Sequence, residues 1–226
     1  GAPVDRVLIA ILLAGLALRL VDIGAPLIDQ QAWRQTDTAA IARNYLAEGL
    51  DRPFYPRVDW RGDTLGYVEM NFPLFPYSVA LLYAAAGGVH EWLGRLLAAL
   101  LSTASAGILY LLCRRTFGDV GVARVAAALY LMVPVSWFFG RAFMPEALMM
   151  LLSLASLYTF DRWLRSGRWA DFAVAVTCAA ACFLVKIPTL YLGFPLVAMA
   201  WRARDWLSFA TRGCGFTSSP CWRRPR

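Results

Sequence analysis

Three clusters in this chain combine carboxylates, cations and aromatic rings at spacings that chemistry on a polar substrate could use. The first runs Asp29-Gln30-Gln31-Ala32-Trp33-Arg34-Gln35-Thr36-Asp37-Thr38 and on to Tyr45. From Thr38 to Glu48 the pattern is helical, with Ile41/Tyr45 and Ala42/Leu46 paired at i,i+4 and Gly49 as the stop. Asp37 is therefore expected at the helix N-terminus, where open amides and the macrodipole favour an ionised carboxylate. Such a group can take a proton from an incoming hydroxyl; the plainer role for Asp37 or Thr36 is a helix cap, and position alone favours the cap. The second cluster is Tyr55–Trp60 followed by Tyr67-Val68-Glu69-Met70-Asn71-Phe72-Pro73-Leu74-Phe75-Pro76-Tyr77. Aromatic residues with Pro suit a loop at the lipid headgroup level. Rings beside carboxylates equally suit sugars, whose CH faces pack on rings while hydroxyls find acceptors. Glu69 ends the polar stretch where an apolar helix begins, and Arg34, Tyr67 and Asn71 stand as neighbouring candidates for substrate binding. The third cluster, Gly140-Arg141-Ala142-Phe143-Met144-Pro145-Glu146, places an ionisable pair at the mouth of two apolar segments, which is costly without a role. Lys186 falls on the same side. Two cations there would suit a lipid-linked phosphate, or they snorkel from the ends of helices.

The elements that must position these residues are apolar. The chain has 226 residues, 59% hydrophobic and 16% charged, against about 45–50% and 25% in soluble domains. Uncharged runs such as Leu96–Cys113, Val125–Gly140 and Phe172–Val185 approach the roughly 20 residues that cross a bilayer core. A soluble fold, a disordered chain and a small disulfide scaffold are poor readings of that composition. The expected fold is an all-α polytopic membrane protein with spans near 7–22, 95–113, 120–139, 145–162, 169–185 and 188–202, Lys186 and Pro188 marking a turn between the last two. Arg114/Arg115, Arg162/Arg165/Arg168 and Arg202/Arg204 cluster at one set of span ends, which the positive-inside rule makes cytoplasmic. Met70–Val89 carries no charge, but Pro73, Pro76 and Gly87–Gly88 leave a clean helix only over Leu74–Ala86, 13 residues or about 20 Å. That favours an interfacial or re-entrant helix and an external loop over about 23–94; were the segment to cross, the loop would be cytoplasmic.

The net charge of +7 does not point to nucleic acid. Between Asp22 and Glu69 five Arg face eight acids, a net of −3, while Arg202 to the C-terminus carries six Arg against one Asp, a net of +5. Residues 1–205 therefore read as one transmembrane domain and 206–226 as a basic tail, disordered or frame-shifted. A start at Gly1 leads us to expect that the beginning of the protein is missing. Five Cys form no metal or redox pattern, and a lone His90 argues against a His-based metal site or a Ser-His-Asp triad.

The runs Trp33–Tyr45, Tyr67–Tyr77, His90-Glu91-Trp92-Leu93-Gly94-Arg95-Leu96, Arg141–Leu148 and Lys186-Ile187-Pro188, in that order, resemble bacterial membrane glycosyltransferases. These belong to the superfamily of protein O-mannosyltransferases and the lipid A aminoarabinose transferase, with the GT-C fold. The likeness covers about residues 5–204, the N-terminal half of a typical member. It implies a large external first loop with juxtamembrane helices, a catalytic aspartate at Asp37 and a second active-site carboxylate at Glu146. Some members carry another acid directly after the first; here Thr38 stands there, and Glu69 is the alternative. The family transfers a sugar from a polyprenyl-phosphate donor to an acceptor hydroxyl with inversion. The expectation is thus a multi-pass enzyme of the inner membrane serving cell-envelope glycosylation. In it Asp37, Glu69 and Glu146 are catalytic, and Arg34, Arg141, Lys186, Tyr67 and Asn71 bind substrate. Its partners are membrane lipid, the lipid-linked donor and a glycan, lipid or protein acceptor; no cofactor or metal is read from the residues. The rivals are a transporter or flippase of lipid-linked material, which would place ionisable groups at mid-depth in its spans, and a non-catalytic fragment.

Overall fold

The structure is a computed structural model that describes residues 5–59, 62–64, 66–68 and 72–213, with side chains to residue 203. Among them there is no strand, only one isolated antiparallel bridge between Arg57 and Tyr67. The helices are α1 (Arg6–Leu20), α2 (Ala32–Glu48), α3 (Leu74–Ala86), α4 (Glu91–Phe117), α5 (Val120–Met132), α6 (Pro134–Phe139), α7 (Glu146–Ser166), α8 (Trp169–Val185) and α9 (Gly193–Gly213), with a 3-10 segment over Ile187–Leu192. Six spans are expected from the sequence. Among the described residues α4 alone is both long and apolar enough to cross a bilayer, and α3, α5 and α8 are apolar but shorter.

The expected span 120–139 is two helices. Pro134 has no N–H and disfavours helical backbone at the residue before it, so α5 stops at Met132 and Val133 is extended at φ −59°, ψ 129°. The break is held by Arg19 of α1, whose side chain is wholly buried. Its guanidinium donates to Ser102 Oγ (3.1 Å), to the carbonyls of Gly15 (3.0 Å) and Leu131 (3.1 Å), and to Ser136. One cation thereby satisfies a last-turn carbonyl of α5 and ties four helices together, which is how burying it becomes tolerable. The segment after α8 follows the expected turn: Lys186 is extended, and the 3-10 segment begins at Ile187.

α4 is the central helix, with α1, α5 and α7 packed on it; α8 pairs with α7, and α2 packs on α3. The two ends of this bundle differ. At one, Asp161 receives Arg115 (2.8 Å) and Arg165 (3.0 Å), Asp171 receives Arg162 (3.1 Å), and Asp5 receives Arg124 (2.8 Å) and the Tyr110 hydroxyl (2.7 Å). At the other, Arg95 of α4 reaches the Pro26 carbonyl (3.1 Å) and Asp29 (3.5 Å), so α1 ends where α4 begins. α3 lies at that same end: the Phe72 N–H donates to the Leu184 carbonyl (3.1 Å), and the Phe75 ring meets that of Phe143 (5.9 Å). Pro73 and Gly87, the latter left-handed at φ 75°, bound α3 as its sequence dictates.

Candidate active site

α2 begins six residues before its expected start, and Asp37 sits in its second turn instead of at its N-terminus. Neither Thr36 nor Thr38 caps it. Their hydroxyls turn back onto the carbonyls of Ala32 (2.9 Å) and Arg34 (2.8 Å), as Ser and Thr do inside helices. The early start is tertiary in origin. Gln35 is fully buried; its amide donates to Asp29 Oδ1 and to the Gln30 carbonyl (3.0 Å), and its oxygen accepts the Phe143 N–H (3.0 Å). Those bonds hold the entrance to α2 against the loop before α7. Ala39 and Ala42 then enter the core with Phe75, Val79, Tyr83 and Phe143. Arg34, Asp37, Thr38 and Ile41, at i, i+3, i+4 and i+7, share a neighbouring stripe and line a cavity.

The second wall comes from the Gly140–Pro145 loop. Phe143 is buried against Gly94 of α4, where an added Cβ would lie 2.1 Å from the ring. With Phe143 anchored there, Met144, Pro145 and Glu146 face the cavity. Glu146 opens α7, where the helix dipole favours its charge. Lys186 follows the last turn of α8 and donates to Glu146 Oε1 at 2.5 Å, while Glu146 Oε2 is buried without a protein partner. The Lys186 backbone is held by Thr189, whose hydroxyl donates to the Lys186 carbonyl (2.7 Å). The cavity measures about 300 Å³, and Trp33, Pro56, Val68, Phe72, Pro73 and Pro76 complete it. Its lining sets two cations, Arg34 and Lys186, and two carboxylates, Asp37 and Glu146, among apolar and aromatic side chains.

Four of the eight residues expected to act, Arg34, Asp37, Glu146 and Lys186, therefore meet in one cavity. Arg141 is not among its lining residues: it donates to the Val21 carbonyl (2.6 Å) and lies over the Trp137 ring (4.6 Å). Tyr67 lines a separate cleft beside Tyr45, Glu48 and Tyr55. Glu69 and Asn71 lie outside the described residues. Sequence reasoning missed Gln35, Asp29 and Arg95. The signal for Arg95 was present, since a cation four residues inside an apolar helix needs a buried partner. Nearby, the buried Tyr45 hydroxyl donates to the Pro53 carbonyl (2.8 Å), and burial beside Tyr77 pushes it up to about 12, so it stays a donor.

The fold and cavity define an apolar helical protein with carboxylates and cations gathered at one end of its bundle. Residues 71–213 match the model of the dolichyl-phosphate-mannose-protein mannosyltransferases, and the chain belongs to that family. Glu146 and Lys186 fall inside the match, and Asp37 precedes it. Two proteins of Bacillus subtilis (strain 168) are similar over most of this chain. "Putative mannosyltransferase YkcB" is 24% identical over 196 residues, 84% of this chain and 25% of its own length. "Putative mannosyltransferase YycA" is 26% identical over 181 residues, 79% of this chain and 26% of its own length. The chain thus spans about a quarter of the length of the curated relatives it matches. No solved structure matches it.

Proposed function

We propose that this chain forms part of an integral-membrane glycosyltransferase of GT-C type that moves one sugar from a polyprenyl-phosphate donor to an acceptor hydroxyl. The observation that carries it is the meeting of Asp37, Glu146, Lys186 and Arg34 around one cavity. The arginine-rich end of the bundle lies opposite, which supports a multi-pass arrangement in the inner membrane with the cavity on the external face. α3, too short to cross, lies against the cavity end as an interfacial helix would.

In this mechanism Asp37 takes the proton of the acceptor hydroxyl as its oxygen attacks the anomeric carbon. The bond from that carbon to the phosphate oxygen breaks with inversion, and the charge gathering on the departing phosphate is met by Arg34 and Lys186. Glu146 orients Lys186 through Oε1 and offers Oε2 to a sugar hydroxyl. The test is transfer by the complete protein in membranes supplied with a labelled polyprenyl-phosphate sugar. Asp37→Asn should slow transfer by about 10²–10⁴-fold, the usual worth of a general base; transfer at the wild-type rate would overturn the assignment.

A further inference from the structure

Segments 55–58 and 66–68 run alongside each other at the single antiparallel Arg57–Tyr67 bridge: the Val58 N–H donates to the Gly66 carbonyl (3.0 Å) and the Val68 N–H to the Pro56 carbonyl (3.0 Å). Side chains on extended backbone alternate between faces. Pro56 and Val68 accordingly wall the Asp37 cavity, while Tyr55, Arg57 and Tyr67 turn to the other face and line a second cleft of about 50 Å³ against α2.

The chemistry of that cleft is distinct. Tyr55 and Tyr67 are large aromatic side chains left 60% and 46% exposed, with ring centroids 5.8 Å apart in an edge-to-face pair. The Arg57 guanidinium lies 5.3 Å from the centre of the Tyr67 ring and donates to Glu48 Oε2 at 2.7 Å. The cleft thus combines an exposed aromatic platform with a planar donor and a carboxylate held beside it. A pyranose matches both: its CH face packs on a ring, and adjacent hydroxyls donate to a carboxylate and accept from a guanidinium. An isolated phosphate would meet the Glu48 carboxylate, and a purely apolar ligand would leave the charged pair desolvated.

We propose that this cleft is a saccharide-binding subsite for the acceptor, so that the acceptor is a glycan held along the bridged segments that wall the cavity. The proposal rests on the glycosyltransferase function above and names its acceptor class. The test uses the complete protein in lipid nanodiscs without donor. Saturation-transfer NMR is recorded with two soluble probes, chitotriose and mannotriose, and with a Ser/Thr-containing peptide as the non-glycan arm. At least one trisaccharide should receive saturation. Tyr55→Ala and Tyr67→Ala should each weaken its binding by about tenfold, the worth of one aromatic contact. Tyr67→Phe should keep the binding, because the ring remains. Absence of transfer to both trisaccharides, equal signals in wild type and both Ala variants, or saturation of the peptide alone would overturn the proposal. Lipid-phosphosugar turnover is followed in parallel. Saccharide binding that depends on the two tyrosines without turnover would sink the enzyme reading and leave the subsite. Turnover without saccharide binding would do the reverse.

Discussion

The Lys186 ammonium and the Glu146 carboxylate meet at 2.5 Å across 40 residues of chain, the one following α8 and the other opening α7. Their side chains are 19% and 12% exposed, so water reaches little of either and each is the other's main partner. Removing one partner of a buried pair leaves the second uncompensated, whereas replacing both by apolar residues of similar size costs little. Lys186→Met or Glu146→Met alone should therefore lower stability by roughly 2–4 kcal/mol, and the double variant by clearly less. Thermal unfolding in detergent checks this, and additive losses would show that the pair does not couple.

Gln35 is expected to behave as a three-bond anchor. Gln35→Ala leaves the Phe143 N–H and the Gln30 carbonyl without that partner, at about 1–3 kcal/mol for each buried group stranded. Gln35→Glu retains an acceptor for Phe143 but sets a carboxylate against Asp29. It should rescue little of the stability and none of the transfer rate. Wild-type stability in Gln35→Glu would refute the donor role of this amide.

Two glycines of α4 should respond oppositely to alanine. At Gly94 the added methyl collides with the Phe143 ring, and overpacking of this kind costs about 1–3 kcal/mol. At Gly107 nothing lies within 4 Å of the new Cβ, so Gly107→Ala should gain up to about 1 kcal/mol from helix propensity. Phe143→Leu combined with Gly94→Ala should recover part of the loss. Denaturant midpoints of the variants decide it.

Acid should weaken the opposite end of the bundle. Asp5 caps α1 through the Leu8 N–H (3.2 Å), and the Arg124 guanidinium with the Tyr110 hydroxyl holds its carboxyl well below the usual carboxylate range. A depressed carboxyl contributes stability above its unfolded value and loses that contribution as pH falls through its folded one. The wild type should lose stability from about pH 4 downward, and Asp5→Asn should flatten that part of the profile. An unchanged slope in Asp5→Asn would assign the loss to other acids.

Much of the framework was legible because its signals are local. Pro73 and Gly87 bound α3 since one lacks an N–H and the other accepts φ 75°. Lys186 and Pro188 broke an apolar stretch too long for one crossing, and the helix does end at Val185. The start of α2 was not legible, because what extends it to Ala32 is Gln35 binding Phe143, 108 residues away. Pro134 was visible, yet its break was hidden inside an uninterrupted apolar run. Nothing local showed that Arg19 would meet the carbonyl freed there.

The amino-acid sequence by itself determined the helical texture, the ends where charge collects and the pairing of Asp37 and Glu146 with nearby cations as candidates. Those are properties of composition and short spacing, set by hydrophobic periodicity and backbone sterics. Only the tertiary structure decided that Arg34 and Lys186 enter the cavity while Arg141 stacks on Trp137, and that Tyr67 faces away from it. Membership of one cavity depends on distances between segments far apart in the chain. Those distances are set by buried bonds such as Gln35 to Phe143 and by the seat that Gly94 leaves for a ring.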